Sequence, residues 1–315
     1  MIVTSPHPVL YFISQLPKLL RLSFRKLIVN DPLRMGGATA FFTSFALPFI
    51  LILITQGLSL VFNAATIRKE IFDELAGIFG RQGMRQIVDT LVAFRHLAKN
   101  GFITVIGVLF LLLVSTTLLM VIKTSMNQLW SIRTVGKLSF LFRLGTRLQS
   151  VIIIIATGFL FLLGIAAEAI KAQLSQKLLH SFPHIGPPFL GLLNYILSVL
   201  FVTVWFGLIF RLLPDARAPW KVAFTGGFVT AILFILGKFV LRLLLINSNL
   251  KTLYGTSASI VLILLFVFYS SLIMYFGVAF TRVWADHKHV LIRPLSYAAR
   301  YKLTQVDEQL DSIKI

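Results

Sequence analysis

The chain has 315 residues, 57% of them hydrophobic and 13% charged, with a mean hydropathy of +0.88. A soluble domain is roughly 45–50% apolar and about 25% charged, so a soluble fold of this size would lack the polar groups to cover its surface. The formal charge is +19, and the absence of cysteine excludes disulfides, thiolate metal sites and thiol nucleophiles.

In chain order, residues 1–34 come first as a basic, amphipathic segment on the cytoplasmic side. Within 16–28, Leu16, Leu19, Leu20, Phe24, Leu27 and Ile28 fall on one helical face and Lys18, Arg21 and Arg25 on the other. Such a helix fits either the inner headgroup layer or the cytoplasmic end of a helix bundle. No basic n-region precedes the first apolar run and no small-residue cleavage site follows it, so this start is not expected to be a signal peptide. A membrane helix needs about 20 largely apolar residues, and six segments qualify: near 38–62, 103–122, 149–170, 190–212, 222–246 and 257–281. Their apolar runs are continuous rather than alternating, which points to helices and not to a barrel.

The expected fold is therefore all-α: a polytopic integral membrane protein with a six-helix bundle over 35–282, flanked by amphipathic helices. Between the first two spans, the outer loop 63–102 carries Ile67, Ile71, Leu75, Ile78 and Phe79, then Met84, Ile87, Val88, Leu91 and Phe94 after Gly80-Arg81-Gln82-Gly83. That spacing predicts two short amphipathic helices. Pro214 and Pro219 mark a tight turn between the fourth and fifth spans. The cytoplasmic tail 283–315 is polar from about 286, ends with Asp307, Glu308 and Asp311, and is expected to be partly disordered.

Basic residues orient the bundle, because cytoplasmic loops collect Lys and Arg. With the N-terminus inside, the inner side takes Lys18 to Arg34, Lys123 to Arg147, Arg211 to Lys221, and the basic residues from Arg282 onward. Fewer fall outside, so both termini are expected in the cytoplasm. The expected partners are the lipid bilayer and its anionic inner-leaflet lipids, with a homo-oligomer left open. Nucleic acid is not expected, since the charge follows topology rather than one groove. No cofactor or metal is expected.

Several segments together resemble one family, the YihY/BrkB inner-membrane proteins of bacteria, formerly labelled ribonuclease BN-like. They are Asp31-Pro32 through Phe41-Phe42, Ser44 and Pro48; Ser115; Asn127 with Trp130; Leu212-Leu213-Pro214 with Trp220 and Gly226; Lys238; and Tyr254-Gly255-Thr256 through Tyr269-Ser270-Ser271 to Gly277. The resemblance covers most of 31–282 and implies a multi-pass protein of the bacterial inner membrane, linked to the cell envelope. One departure stands out: the family's last span usually shows Gly-Ala-Glu, whereas this chain has Gly277-Val278-Ala279.

Ionisable groups inside spans are functional candidates because placing them there is expensive. Lys238 and Arg242, four apart on the fifth span, share a face; Glu168 lies near the end of the third at similar depth. One reading pairs Glu168 with Lys238 or Arg242, freeing a cation for an anionic headgroup or solute. The other lets Arg242 and Lys171 reach the outer interface while Glu168 pairs with Lys171. Ser115, Tyr269, Ser270 and Ser271 are candidates for a polar span lining or for interhelical hydrogen bonding. Gly226, Gly227 and Gly277 are read as helix-packing positions.

Enzyme chemistry is not expected. His180 and His184 are separated by Pro183, Asp286-His287-Lys288-His289 lacks a further ligand set, and there is no nucleophile elbow, P-loop or dinucleotide fingerprint. The functional expectation is transport or translocation of an anionic or lipid-like envelope component. The competing class is a non-transporting scaffold that recruits partners at its basic cytoplasmic face.

Overall fold

The computed structural model of the chain describes residues 8–59, 101–135, 186–246 and 258–302. Six helices run through them: α1 (Pro8–Ile28), α2 (Pro32–Ser59), α3 (Gly101–Leu129), α4 (Gly186–Leu212), α5 (Trp220–Ile246) and α6 (Ala258–His287). Three contain stretches long and apolar enough to cross a membrane, Tyr195–Leu212, Trp220–Val240 and Val261–His287. The α2 and α3 helices, 28 and 29 residues long, coincide with the first two expected spans. The third expected span (149–170), residues 63–100 of the expected outer loop 63–102 and residues 303–315 lie outside the described residues.

Local chemistry sets the turns. Asn30 closes α1 by donating from Nδ2 to the Lys26 carbonyl at 2.8 Å. Asp31 then adopts φ 55°, a left-handed conformation that Asn and Asp tolerate better than most residues. Pro32 opens α2, where the first residue has no hydrogen-bonding use for an N–H, and the Met35 N–H donates to the Asp31 carbonyl at 3.2 Å. Pro219 does similar work for α5, its carbonyl accepting from the N–H groups of Val222 and Ala223.

The α6 helix is the hub, packed against α1, α2 and α5, while α3 lies on α2 and α4 on α5. Among the described residues the main core lies around Met35, Met126, Trp130, Phe210, Tyr275 and Phe280. Elsewhere large apolar side chains face outward, among them Tyr195 and Leu200 on α4 and Phe228, Leu236 and Phe239 on α5. An apolar exterior of this kind is stable against hydrocarbon and costly against water.

Two features refine the sequence expectation. The α1 helix packs on α6, at the end of the bundle, through a face centred on Leu19, Ser23 and Leu27, whereas Phe24 and Ile28 are exposed. Ser23 can sit in that contact because its hydroxyl donates to the Leu19 carbonyl at 2.7 Å. After Asp286 the chain also carries regular structure within the described residues, which reach 302. It folds back as β3 (Arg293–Pro294) and β4 (Ala298–Arg300), antiparallel to β2 (Ala216–Arg217) and β1 (Ile132–Thr134) respectively. Backbone pairing with strands that follow α3 and α4 supplies the hydrogen bonds that a free polar tail would take from water.

Candidate functional site

The ribbons, the α4–α5 turn and the last turn of α3 converge on Asp215, a carboxylate only 4% exposed. Its Oδ2 accepts from Asn127 Nδ2 at 2.8 Å, and its own N–H donates to Asn127 Oδ1 at 2.8 Å. Oδ1 accepts from the Tyr297 hydroxyl at 2.7 Å and pairs with Lys123 Nζ at 2.6 Å. The Asp215 carbonyl accepts from the Leu295 N–H at 3.0 Å. Lys123 and Asn127 reach one carboxylate because they are four apart on one helical face. Burial, and then the hydrogen bond to the Asp215 carboxylate, push the Tyr297 hydroxyl well above the usual tyrosine range. A carboxylate so fully engaged acts as a clamp holding three chain segments, each buried polar atom matched to a partner.

Around this clamp the helix ends are capped. Arg217 Nη1 donates to the carbonyls of Arg211 and Leu212, at 2.9 and 3.0 Å, closing α4. Arg211 donates to the Ala218 carbonyl and lies 4.3 Å from the Trp220 ring centroid. The Trp130 indole N–H donates to the Val278 carbonyl at 3.0 Å, joining α3 to α6.

A second charged group lies nearby. Arg282 Nε pairs with Asp286 Oδ2 at 2.9 Å, and its Nη1 reaches the Trp130 carbonyl at 3.5 Å. Lys26 on α1 and Arg300 on β4 feel the same two residues. The Lys26 ammonium is held below its usual range first by burial and then by Arg282, with Arg300 adding to the effect and Asp286 opposing it. Arg300 is lowered by burial and by Arg282.

The candidates named from sequence are spread along the helices. Lys238 is exposed on α5, Nζ 5.8 Å from the Phe234 ring centroid, among exposed Leu236, Phe239 and Val240. Arg242 follows on α5, but its side chain and all of Glu168 lie outside the described residues, as does any pairing between them. Ser115 is half-buried on α3; Tyr269 and Ser270 are half-buried on α6. Ser271 is buried, its hydroxyl donating to the Val267 carbonyl at 2.7 Å.

The glycines mark close crossings. A β-carbon on Gly226 would land on the Thr281 hydroxyl, and one on Gly277 on the Thr230 hydroxyl. One on Gly227 would lie 2.6 Å from the Thr203 carbonyl of α4. Ala279, where an acid was expected from the resemblance, is wholly buried. Sequence reasoning missed Asp215, Lys123 and Tyr297 as a group. The available signal was Asp215 itself, an acid alone among Arg211, Arg217 and Lys221.

Comparison with known proteins gives relatives of the same character. A UPF0761 membrane protein of Teredinibacter turnerae is 26% identical over 265 residues, covering 81% of this chain and 58% of that protein. One from Legionella pneumophila is 26% identical over 275 residues, covering 84% and 57%. One from Pseudomonas aeruginosa is 29% identical over 180 residues, covering 56% and 41%. The chain thus spans about half the length of the curated relatives it matches. No solved structure matches it significantly. Residues 23–301 match the family described as Virulence factor BrkB, and with most of its length inside that match the chain belongs to this family of membrane proteins.

Proposed function

We propose that the protein moves an anionic, lipid-like envelope component across the membrane. The observation that carries this reading is Lys238, an exposed cation on α5 among the exposed apolar side chains of Leu236, Phe239 and Val240. A cation there is costly unless it reaches water or meets an anion. At about 1.5 Å per residue it stands roughly 27 Å along the helix from Trp220, far from the cationic end where α5 begins. Cations at both ends of one lipid-facing helix suit a passing anionic headgroup, which would exchange one counter-charge for the other.

The test uses the purified chain in liposomes carrying a trace of fluorescent phosphatidylglycerol, with leaflet exchange read by dithionite quenching. Exchange faster than in protein-free vesicles is expected, slowed severalfold by Lys238→Gln and weaker for phosphatidylcholine. Exchange at the protein-free rate overturns the reading. That result would favour the scaffold class, which the ordered end supports through its exposed Arg133, Arg293 and Lys302.

A further inference from the structure

We propose that Lys26, Arg282 and Arg300 form a binding site for a phosphate group, of the kind an anionic lipid headgroup presents. The three cations come from α1, α6 and β4, elements far apart in sequence that α1–α6 packing and the β1–β4 ribbon bring to one place. Asp286, the carboxylate coupled to all three, is engaged with Arg282 Nε at 2.9 Å. Among the described residues neither Lys26 nor Arg300 has an ion pair, and the Arg300 side chain makes one hydrogen bond, from Nη2 to the Ile292 carbonyl at 3.3 Å. Three cations against one acid therefore repel one another, as the lowering of Lys26 and Arg300 by Arg282 reflects. That arrangement leaves a net positive surface cluster with N–H donors to spare, the chemistry that holds phosphate oxygens.

The site is open to a ligand, because Arg300 is exposed and Lys26 half-buried. An apolar strip borders it. Leu22 lies four residues before Lys26 on α1, hence on its stripe, and Val29 follows three residues after Lys26 in the turn that ends the helix; they are 44% and 72% exposed. Cation and apolar surface side by side match a headgroup phosphate with the start of its acyl chains. Solvated surface charge would not need such a strip, nor would it gather three separate elements around one carboxylate.

Binding is measured on the full chain in detergent by native mass spectrometry with dioleoylphosphatidylglycerol, and by thermal melting with added inorganic phosphate. The double variant K26Q/R300Q spares Arg282, which contacts Trp130, and should weaken lipid retention by roughly fivefold for each cation removed. The control K18Q/R21Q makes the same charge change on exposed positions of α1 and should leave retention near that of the unaltered chain. K26R should retain binding, which separates lost chemistry from lost folding. A phosphate-induced rise in melting temperature that disappears in K26Q/R300Q, without lipid retention, would identify the ligand as a free phosphate and keep the site. Equal losses in both double variants would reduce the effect to diffuse charge and overturn the proposal, as would no loss in K26Q/R300Q. Binding is read without any movement of lipid, so a failure of transport leaves this result standing.

Discussion

Asp215 illustrates how one buried residue can set the cost of opening a whole region. Its carboxylate takes hydrogen bonds from Asn127 and Tyr297 and an ion pair from Lys123. Asp215→Ala would strand the Lys123 ammonium, whose side chain is 18% exposed, and the Asn127 amide. Removing one partner of such a pair costs about 3–5 kcal/mol, and the loss should appear as lower resistance to denaturant followed by tryptophan fluorescence. Asp215→Asn keeps the shape and should lose less. Tyr297 gives the matching pH test. Its folded pKa is raised above the unfolded value near 10, so its contribution is fully present below about pH 10 and is lost as pH climbs through the folded value. Comparing the chain with Y297F by absorbance at 295 nm should reveal one tyrosine that stays protonated when ordinary ones have ionised. A titration identical in both would show the hydroxyl to be unperturbed.

The α5–α6 contact repeats one device at two adjacent places. Gly226 faces Thr281 and Gly277 faces Thr230, an antiparallel crossing of two Gly-x-x-x-Thr segments. Each threonine hydroxyl donates to the carbonyl of the glycine four residues before it on its own helix, at 2.7 Å. The hydroxyls are thereby satisfied within each helix, and the small residues let the backbones close in. Gly226→Ala and Gly277→Ala should each cost about 1–3 kcal/mol by overpacking, with part of the G226A loss recovered in G226A/T281A. Gly37→Ala meets open space and should be neutral or stabilising by up to about 1 kcal/mol, as expected for Gly to Ala within a helix. The same melting experiment covers all four variants. These glycines and the helices bearing them were legible from the sequence, because apolar runs and small residues are local signals. The outward turn of Phe24 and Ile28 was not, because spacing alone cannot tell which part of a broad apolar face meets the neighbouring helix. Asp215 was legible only as one charge in a basic turn. Its partners lie 88 positions before it and 82 after it, beyond the reach of any spacing rule.

At the scale of the molecule, the end of the bundle around Asp215 is closed by chain segments that lie before and after α5 and α6 in sequence. Strands of two or three residues cannot be recognised from alternation, and here β1 pairs Ile132 with Arg300 while β2 pairs Ala216 with Pro294. That is why the segment after α6 reads as a loose polar tail in sequence and folds as a closing ribbon in structure. The ribbon brings Tyr297 and the Leu295 N–H to Asp215 and supplies the Val135 N–H with an acceptor, the Tyr297 carbonyl at 3.0 Å. Ending the chain after His287 would remove these bonds together and leave the Asp215 carboxylate with Asn127 and Lys123 only. The helices bury their apolar surface by lipid contact and mutual packing, so they should persist while the end around Asp215 opens. The expected outcome is helix content by circular dichroism close to that of the full chain, with faster proteolysis in the 213–219 turn and in 130–135. The loss of protection should exceed that of Y297F, because the backbone pairing goes as well as one hydroxyl. Unchanged protection at both segments would show that α3, α4 and α5 hold this end without the ribbon, and that the clamp at Asp215 is sustained by Asn127 and Lys123 alone.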